Sequence, residues 1–374
     1  MRQLYQACVT PIVDYASTVW HSPPKDKMHL RALNTVQRST LIRILSAFRS
    51  TATATMEVEM FTLPTRLRLR QRAQLTIVNM LTLPWDHPIQ GVLSRARRQR
   101  DHAGIGSAPR FPLAESMKTM RVEQFNGLET IDPKPTAPWK PSVFKEIDIT
   151  PDREKARKKA AALLVDPSRV VYSDASGHDN HLGAAAVALD RHQKIVASRK
   201  TTIGPMAQWS IHIAELIGIY YAISLAFRLS HQNKQPSRPG TNEMITILSD
   251  SKSALQAIRN PSNKSGQRMI QAINQSAYKL NSRGVSLRLQ WIPGHCDNPG
   301  NDAADHLAKT AVGPDKTHPF CRPVSREKAA IRKQILKEWE DEWKASRKGA
   351  HLRRIDGTLP SIHTRRLYQS LPQN

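Results

Sequence analysis

From Val170 onward, short β-rich runs and amphipathic helical stretches succeed one another. Val170-Val171-Tyr172-Ser173-Asp174 reads as a first strand, Gly183 to Leu189 as a second and Ile195 to Ile203 as a third. Their connections, holding Gly177 and Asn180 and then Asp190 to Gln193, are short enough for antiparallel hairpins. A long helix is expected from Gln208 to Leu229, with Leu216, Tyr220, Ile223 and Phe227 on one face. After a loop with Pro236, Pro239 and Gly240 come a strand (Met244 to Leu248), two helices (from Ser251, and Gln267 to Leu280), a strand (Val285 to Ile292) and a helix (Asn298 to Ala311). The order β-β-β-α-β-α-α-β-α predicts a three-layer α/β domain with a five-stranded mixed sheet over residues 166–314.

The flanks read differently. Leu33, Leu41, Ile44, Leu45 and Phe48 recur with a period near 3.6, and Arg31, Arg38 and Arg43 lie between them. Thr62-Leu63-Pro64 breaks this pattern, and Leu67 to Leu81 is a second helical stretch that opens on Arg66, Arg68, Arg70 and Arg72. Residues 1–90 are thus expected to be a basic helical region. Residues 91–165 read as a linker, with the charge run Arg95 to Arg100 and prolines at 109, 133, 135, 138 and 141, and with room for a short charged helix from Asp152 to Leu164. In the tail, residues 315–374, Ser325 can cap a helix in which Ile331, Ile335, Trp339 and Trp343 fall four apart, and Gly349 can end it.

Composition narrows the partners. The 374 residues carry 56 Lys and Arg against 31 Asp and Glu, a net charge of +25, with a mean hydropathy of -0.49. Residues 1–120 hold 17 basic and 7 acidic side chains, residues 168–313 hold 16 and 9, and residues 314–374 hold 14 and 7. A surplus spread over three regions points to a polyanion. An uninterrupted apolar run such as Leu182 to Leu189, with a glycine inside it, is far short of a membrane span, and the N-terminus lacks a secretory pattern. Three cysteines, Cys8, Cys296 and Cys321, exclude a disulfide framework. The expectation is an intracellular protein, neither secreted nor membrane-bound, with the nucleus among its compartments.

Four carboxylates carry the candidate chemistry. Asp174 ends the first strand, Glu215 lies in the long helix, Asp250 ends the fourth strand and Asp305 lies in the last helix. Groups at the carboxyl ends of neighbouring strands converge on one crevice, so pairing of the first and fourth strands would make Asp174 and Asp250 neighbours. Four carboxylates together repel unless divalent cations separate them, and oxygen ligands select hard ions such as Mg2+ or Mn2+. Two such ions about 4 Å apart are the usual clamp for cutting a phosphodiester. Each acid taken singly reads more simply as a solvated or capping carboxylate.

Tyr172-Ser173-Asp174-Ala175-Ser176, Ala214-Glu215-Leu216, Leu248-Ser249-Asp250-Ser251 and Trp291-Ile292-Pro293-Gly294-His295, followed by Gly300-Asn301-Asp302-Ala303-Ala304-Asp305, resemble in order the motifs of type 1 ribonucleases H. The resemblance implies a metal-dependent endonuclease cutting the RNA strand of RNA–DNA hybrids. It implies that Asp174, Glu215, Asp250 and Asp305 hold two Mg2+ or Mn2+ ions and that His295 helps proton transfer or product release. Asp302, where the family often has glutamate, and Cys296-Asp297 after the histidine depart from the pattern.

Tyr5 to Ala16 with Val19-Trp20, Leu45 to Thr51, and Thr62-Leu63-Pro64 are similar to the region downstream of the reverse-transcriptase palm in LINE-type retrotransposon polyproteins. The chain has no Asp-Asp pair, so it is expected to be a C-terminal fragment without the palm and unable to synthesise DNA. Glu57 and Glu59 would share one face if Met56 to Met60 were a strand. A catalytically idle nucleic-acid-binding remnant is the alternative; a transposase or integrase of the same fold class would carry its last acid as glutamate. The tryptophan stripe of the tail is expected to dock on the catalytic domain, or else to serve as a nucleic-acid or partner-binding arm.

Overall fold

A computed structural model describes residues 1–22, 26–101, 112–118, 120, 125–134, 141–232, 243–294, 298–355 and 358–359. The chain divides into two compact units. One comprises residues 1–81, 85–126 and 327–374, and the other 82–84 and 127–326.

The second unit is a mixed α/β domain. Its elements are β1 (Glu146–Asp148), α1 (Arg153–Ala162), β2 (Val170–His178), β3 (His181–Leu189), β4 (Ile195–Pro205), α2 (Ile211–Gln232), β5 (Glu243–Ser249), α3 (Lys252–Arg259), α4 (Gln267–Asn281), β6 (Val285–Trp291) and α5 (Pro299–Lys309). All five expected strands are present. A sixth, β1, joins them, and the order across the sheet is β1-β6-β5-β2-β3-β4. Strands β2, β3 and β4 form an antiparallel meander, while β5, β6 and β1 run parallel to β2.

Strands β2 and β3 run further than expected, meeting at Asp179-Asn180, both left-handed with φ of 47° and 59°. Two left-handed central residues make the tight turn whose twist suits a two-residue hairpin, and Asp and Asn tolerate that geometry best after glycine. Helix α2 is long and apolar enough to cross a membrane by length and composition, yet most of that stretch is buried inside the domain. Its Ile213, Leu216, Ile217, Ala222 and Ile223 belong to the domain core with Ile203, Ile245, Leu287 and Leu289.

Residues 127–165, expected as part of a linker, belong to this unit. Ile147 packs in the core, and β1 pairs with β6 from Glu146↔Arg288 to Asp148↔Gln290. The buried Glu129 carboxylate accepts bonds from Ser265 Oγ (2.5 Å), Gly266 N (2.8 Å) and Val324 N (2.8 Å). It thereby takes free N–H groups at the starts of α4 and of helix Val324–Ala345. That helix therefore begins one residue before Ser325, the expected cap. Asp152 caps α1 through Glu154 N and Lys155 N. Residues of the expected tail also join β4: Thr317 N donates to Thr202 O (2.9 Å), and His318 Nε2 lies 2.9 Å from Ile203 O.

The first unit is helical. Helix Lys27–Leu45 ends earlier than its apolar period suggests, because Ser46 turns left-handed (φ 49°, ψ 36°). Phe48 consequently sits outside the helix and is 83% exposed. Met56 to Met60 is no strand: Thr53–Glu59 is helical, and Glu57 is buried. The tryptophan stripe also differs from expectation. Ile335, Trp339 and Trp343 are buried with Val58 and Leu67 in this unit, and Arg70 and Arg66 pair with Glu338 and Glu342. Apolar residues spaced four apart specify that a helix face will be covered, and leave open by what.

Candidate active site

Register places the first two acids. Along β2 and β5 the partners run from Val170↔Thr246 to Ser173↔Ser249, so Asp174 and Asp250 each follow the last pair. Trp291, opposite Ser249 on β6, donates from Nε1 to the Asp250 carbonyl (3.0 Å) and fixes the backbone there. The cap position of α3 is Ser251, whose side chain makes no capping bond.

Glu215 reaches the same point from α2. The helix lies close to the sheet because its facing residues are small: Ala214 and Ala222 are fully buried, as is Ala184 on β3 to within 1%. A Cβ on Gly218 would stand 3.4 Å from the Asp174 carbonyl. One ligand oxygen from each of Asp174, Glu215 and Asp250 lies within 4.8 Å of the other two.

The electrostatics follow from that crowding. Asp174 is buried, and burial pushes its carboxyl up to about 8, with the nearby Asp250 charge adding to the effect and the Ala175 N–H bond opposing it. Burial first, and Asp174 and Asp250 second, hold Glu215 well above the usual carboxylate range. Glu215 Oε2 is buried with no hydrogen-bond partner. Carboxyls raised first by burial and then by one another's charge, one with an orphaned oxygen, form a donor set suited to a hard divalent cation, which would supply the missing positive charge.

Asp305 stands apart from this trio. It is on α5, about a quarter exposed, and its carboxylate pairs with Lys309 one turn on (2.6 Å). Its charge still contributes to raising Asp174. The helix is set against the sheet by two glycines. A Cβ on Gly300 would meet the Tyr172 ring at 2.2 Å, and one on Gly183 would meet the Ala308 carbonyl at 2.2 Å. Asn298 starts α5, accepting from Gly300 N and Asn301 N. His295 lies outside the described residues.

Sequence reading overlooked how two residues serve this site. Gly294 faces Asp250: a Cβ there would lie 2.8 Å from Oδ2, so any side chain would displace the carboxylate. Lys309 is the cation beside Asp305. Its signal was present in the i, i+4 spacing of the two.

The fold and the carboxylate trio together define a mixed α/β domain with an acidic centre just past the last parallel pair of its middle strands, β2 and β5. Residues 166–313 match the family described as RNase H, so an RNase H domain occupies that stretch, less than half of the chain. No curated protein matches the chain. Among solved structures, an N-terminal RNase H domain from Mycobacterium tuberculosis is similar at 22% identity, covering 38% of this chain and 91% of that one, with a TM-score of 0.28. RNase H1 from Halobacterium salinarum is similar at 19%, covering 38% and 95%, with a TM-score of 0.28. A foamy viral protease-reverse transcriptase in complex with RNA/DNA hybrid is similar at 15%, covering 48% and 22%, with a TM-score of 0.30.

Proposed function

We propose that residues 166–314 are an endonuclease of the type 1 ribonuclease H kind, hydrolysing the RNA strand of RNA–DNA hybrids. The observation that carries this reading is the convergence of Asp174, Glu215 and Asp250, from three separate elements, to within 4.8 Å inside a domain matching the RNase H family. Asp174, Glu215, Asp250 and Asp305 would hold two Mg2+ or Mn2+ ions. Bound there, the ions supply a water of lowered pKa and offset charge on the phosphate. The protein's own part is to hold these oxygens at fixed places: parallel strands carry Asp174 and Asp250, and α2 carries Glu215. His295, after Gly294, takes the part of a proton carrier. The basic flanks add sequence-independent nucleic-acid affinity. In this reading the chain is a piece of a LINE-type retrotransposon polyprotein, intracellular and acting where hybrids form, the nucleus included.

A second reading, an idle nucleic-acid-binding remnant, is favoured by the pairing of Asp305 with Lys309 outside the trio. One assay separates the two. The full chain is incubated with an end-labelled RNA–DNA hybrid in Mg2+, Mn2+ or EDTA. Cleavage of the RNA strand in either metal, absent in EDTA, upholds the nuclease. An intact hybrid in both metals, still shifted in a gel, leaves the binder.

A further inference from the structure

We infer that the loop at residues 46–52 is a binding site for single-stranded nucleic acid, with Phe48 as a platform for a base and Arg43 and Arg49 as phosphate contacts. This deepens the binding put forward above for the basic flanks and rests on that part of the reading alone.

The first observation is an aromatic side chain turned outward on an organised loop. Leu45 and Ala47 pack against Leu41, Met56 and Met60, yet Phe48 between them and Arg49 is 83% exposed. The loop is tied down on both sides. Arg38 donates to Thr51 O (2.8 Å), Thr53 Oγ1 (2.7 Å) and Arg49 O (2.6 Å). Ala47 N bonds to Ile42 O (3.0 Å) and Thr51 N to Phe48 O (2.9 Å). The backbone that carries the ring is held in place, so a ligand meets an organised loop at little ordering cost.

The second observation is charge. Between Asp26 and Glu57 the chain has five cations, Lys27, Arg31, Arg38, Arg43 and Arg49, and no acid. Arg43 and Arg49 are both exposed and flank Phe48 in sequence. An apolar partner would cover the ring but leave Arg43 and Arg49 without counter-charge. A single strand uses both features, because bases stack on an aromatic face while phosphates take the cations. A duplex offers no free base face, so the occupant is a strand whose bases are unpaired.

The test uses the full chain in EDTA, with a fluorescent pyrimidine DNA oligonucleotide read by anisotropy. Phe48→Ala should weaken binding about tenfold, and Phe48→Trp should restore it. Arg49→Ala should lower the slope of log affinity against log salt by about 0.7, one phosphate on a single strand. Trp85→Ala is the control, since Trp85 is 90% exposed but precedes Asp86; it should bind as wild type does. Equal binding by Phe48→Ala and wild type, or an equal loss in Trp85→Ala, overturns the proposal. So does a wild-type dimer that Phe48→Ala dissociates while binding DNA unchanged. Because the ligand is DNA and the buffer lacks metal, a chain that binds through Phe48 yet cuts no hybrid would uphold this site and sink the nuclease.

Discussion

Ser173 and Ser249 stand opposite each other in parallel register on β2 and β5, and that one pairing sets Asp174 beside Asp250. Both serines are fully buried. A slip of one residue would turn the carboxylates to opposite faces of the sheet, because side chains alternate along a strand. The acidic centre is therefore a consequence of core packing.

Asp250→Asn should reduce hybrid cleavage to below a tenth of the wild-type rate in Mg2+. The amide keeps the shape and loses the charge that would face a cation. Without metal the variant should melt at the wild-type temperature or slightly higher, since a source of repulsion on Asp174 and Glu215 is gone. Cleavage and a melting curve in EDTA check both halves; a cooperative melt many degrees lower would mean that Asp250 is structural.

Lys309→Ala should tighten divalent-metal binding several-fold. Lys309 now neutralises Asp305 at 2.6 Å, and a cation must compete with it. The readout is the Mg2+ dependence of the melting temperature, which should saturate at lower concentration in the variant. A weaker metal response would show that Lys309 positions Asp305 rather than competing for it.

Gly300→Ala should destabilise the second unit by about 1–3 kcal/mol, the usual range for overpacking. The added methyl would lie 2.2 Å from the Tyr172 ring, beneath the helix that bears Asp305. Gly91→Ala has nothing within 4 Å of its new methyl and lies in helix Pro88–Asp101, so it should be neutral or stabilising. Thermal melting should fall for Gly300→Ala and hold or rise for Gly91→Ala.

Glu57 gives the first unit a pH dependence of definite sign. Burial pushes its carboxyl up to about 7, against the opposing bond that Gln37 donates (2.7 Å). The folded state holds this proton up to about pH 7, whereas the unfolded chain releases it near its ordinary value of 4.5. Stability from this group is thus fullest below pH 4 and falls as pH rises toward 7, by at most about 1.4 kcal/mol per pH unit. Glu57→Gln keeps the bond with Gln37 and has no proton to lose. Its urea midpoint should stay flat between pH 5 and 8 where that of the wild type declines; matching declines would assign the slope to another group.

Much of the domain was legible because its elements announce themselves locally. The apolar run ending at Leu248 and the carboxylate after it gave β5 and Asp250, and the apolar period around Leu216 gave α2 and Glu215. The misreadings came where local pattern and burial part company. Phe48 continues the period of the helix before it, but Ser46 breaks the chain first. Met56 to Met60 alternates like a strand, yet it is helical with Glu57 bonded to Gln37. Strand β1 has only three residues, two of them acidic, and exists because β6 offers a parallel edge far along the chain. Gly294 carries no mark in sequence of its closeness to Asp250.

By itself, the sequence determined the order of the elements in residues 166–314, which element bears each of the four acids, and the basic character of both flanks. These follow from periodicity, turn residues and charge, all of which are local. The tertiary structure alone decided that three of those acids share one centre while Asp305 pairs with Lys309, that residues 127–165 belong to the second unit and add Glu146–Asp148 to its sheet, and that Trp339 and Trp343 are buried with Val58 and Leu67. Such pairings join segments distant along the chain. They are chosen by the total of packing and hydrogen bonds across the fold, and that total leaves no periodic trace in either partner.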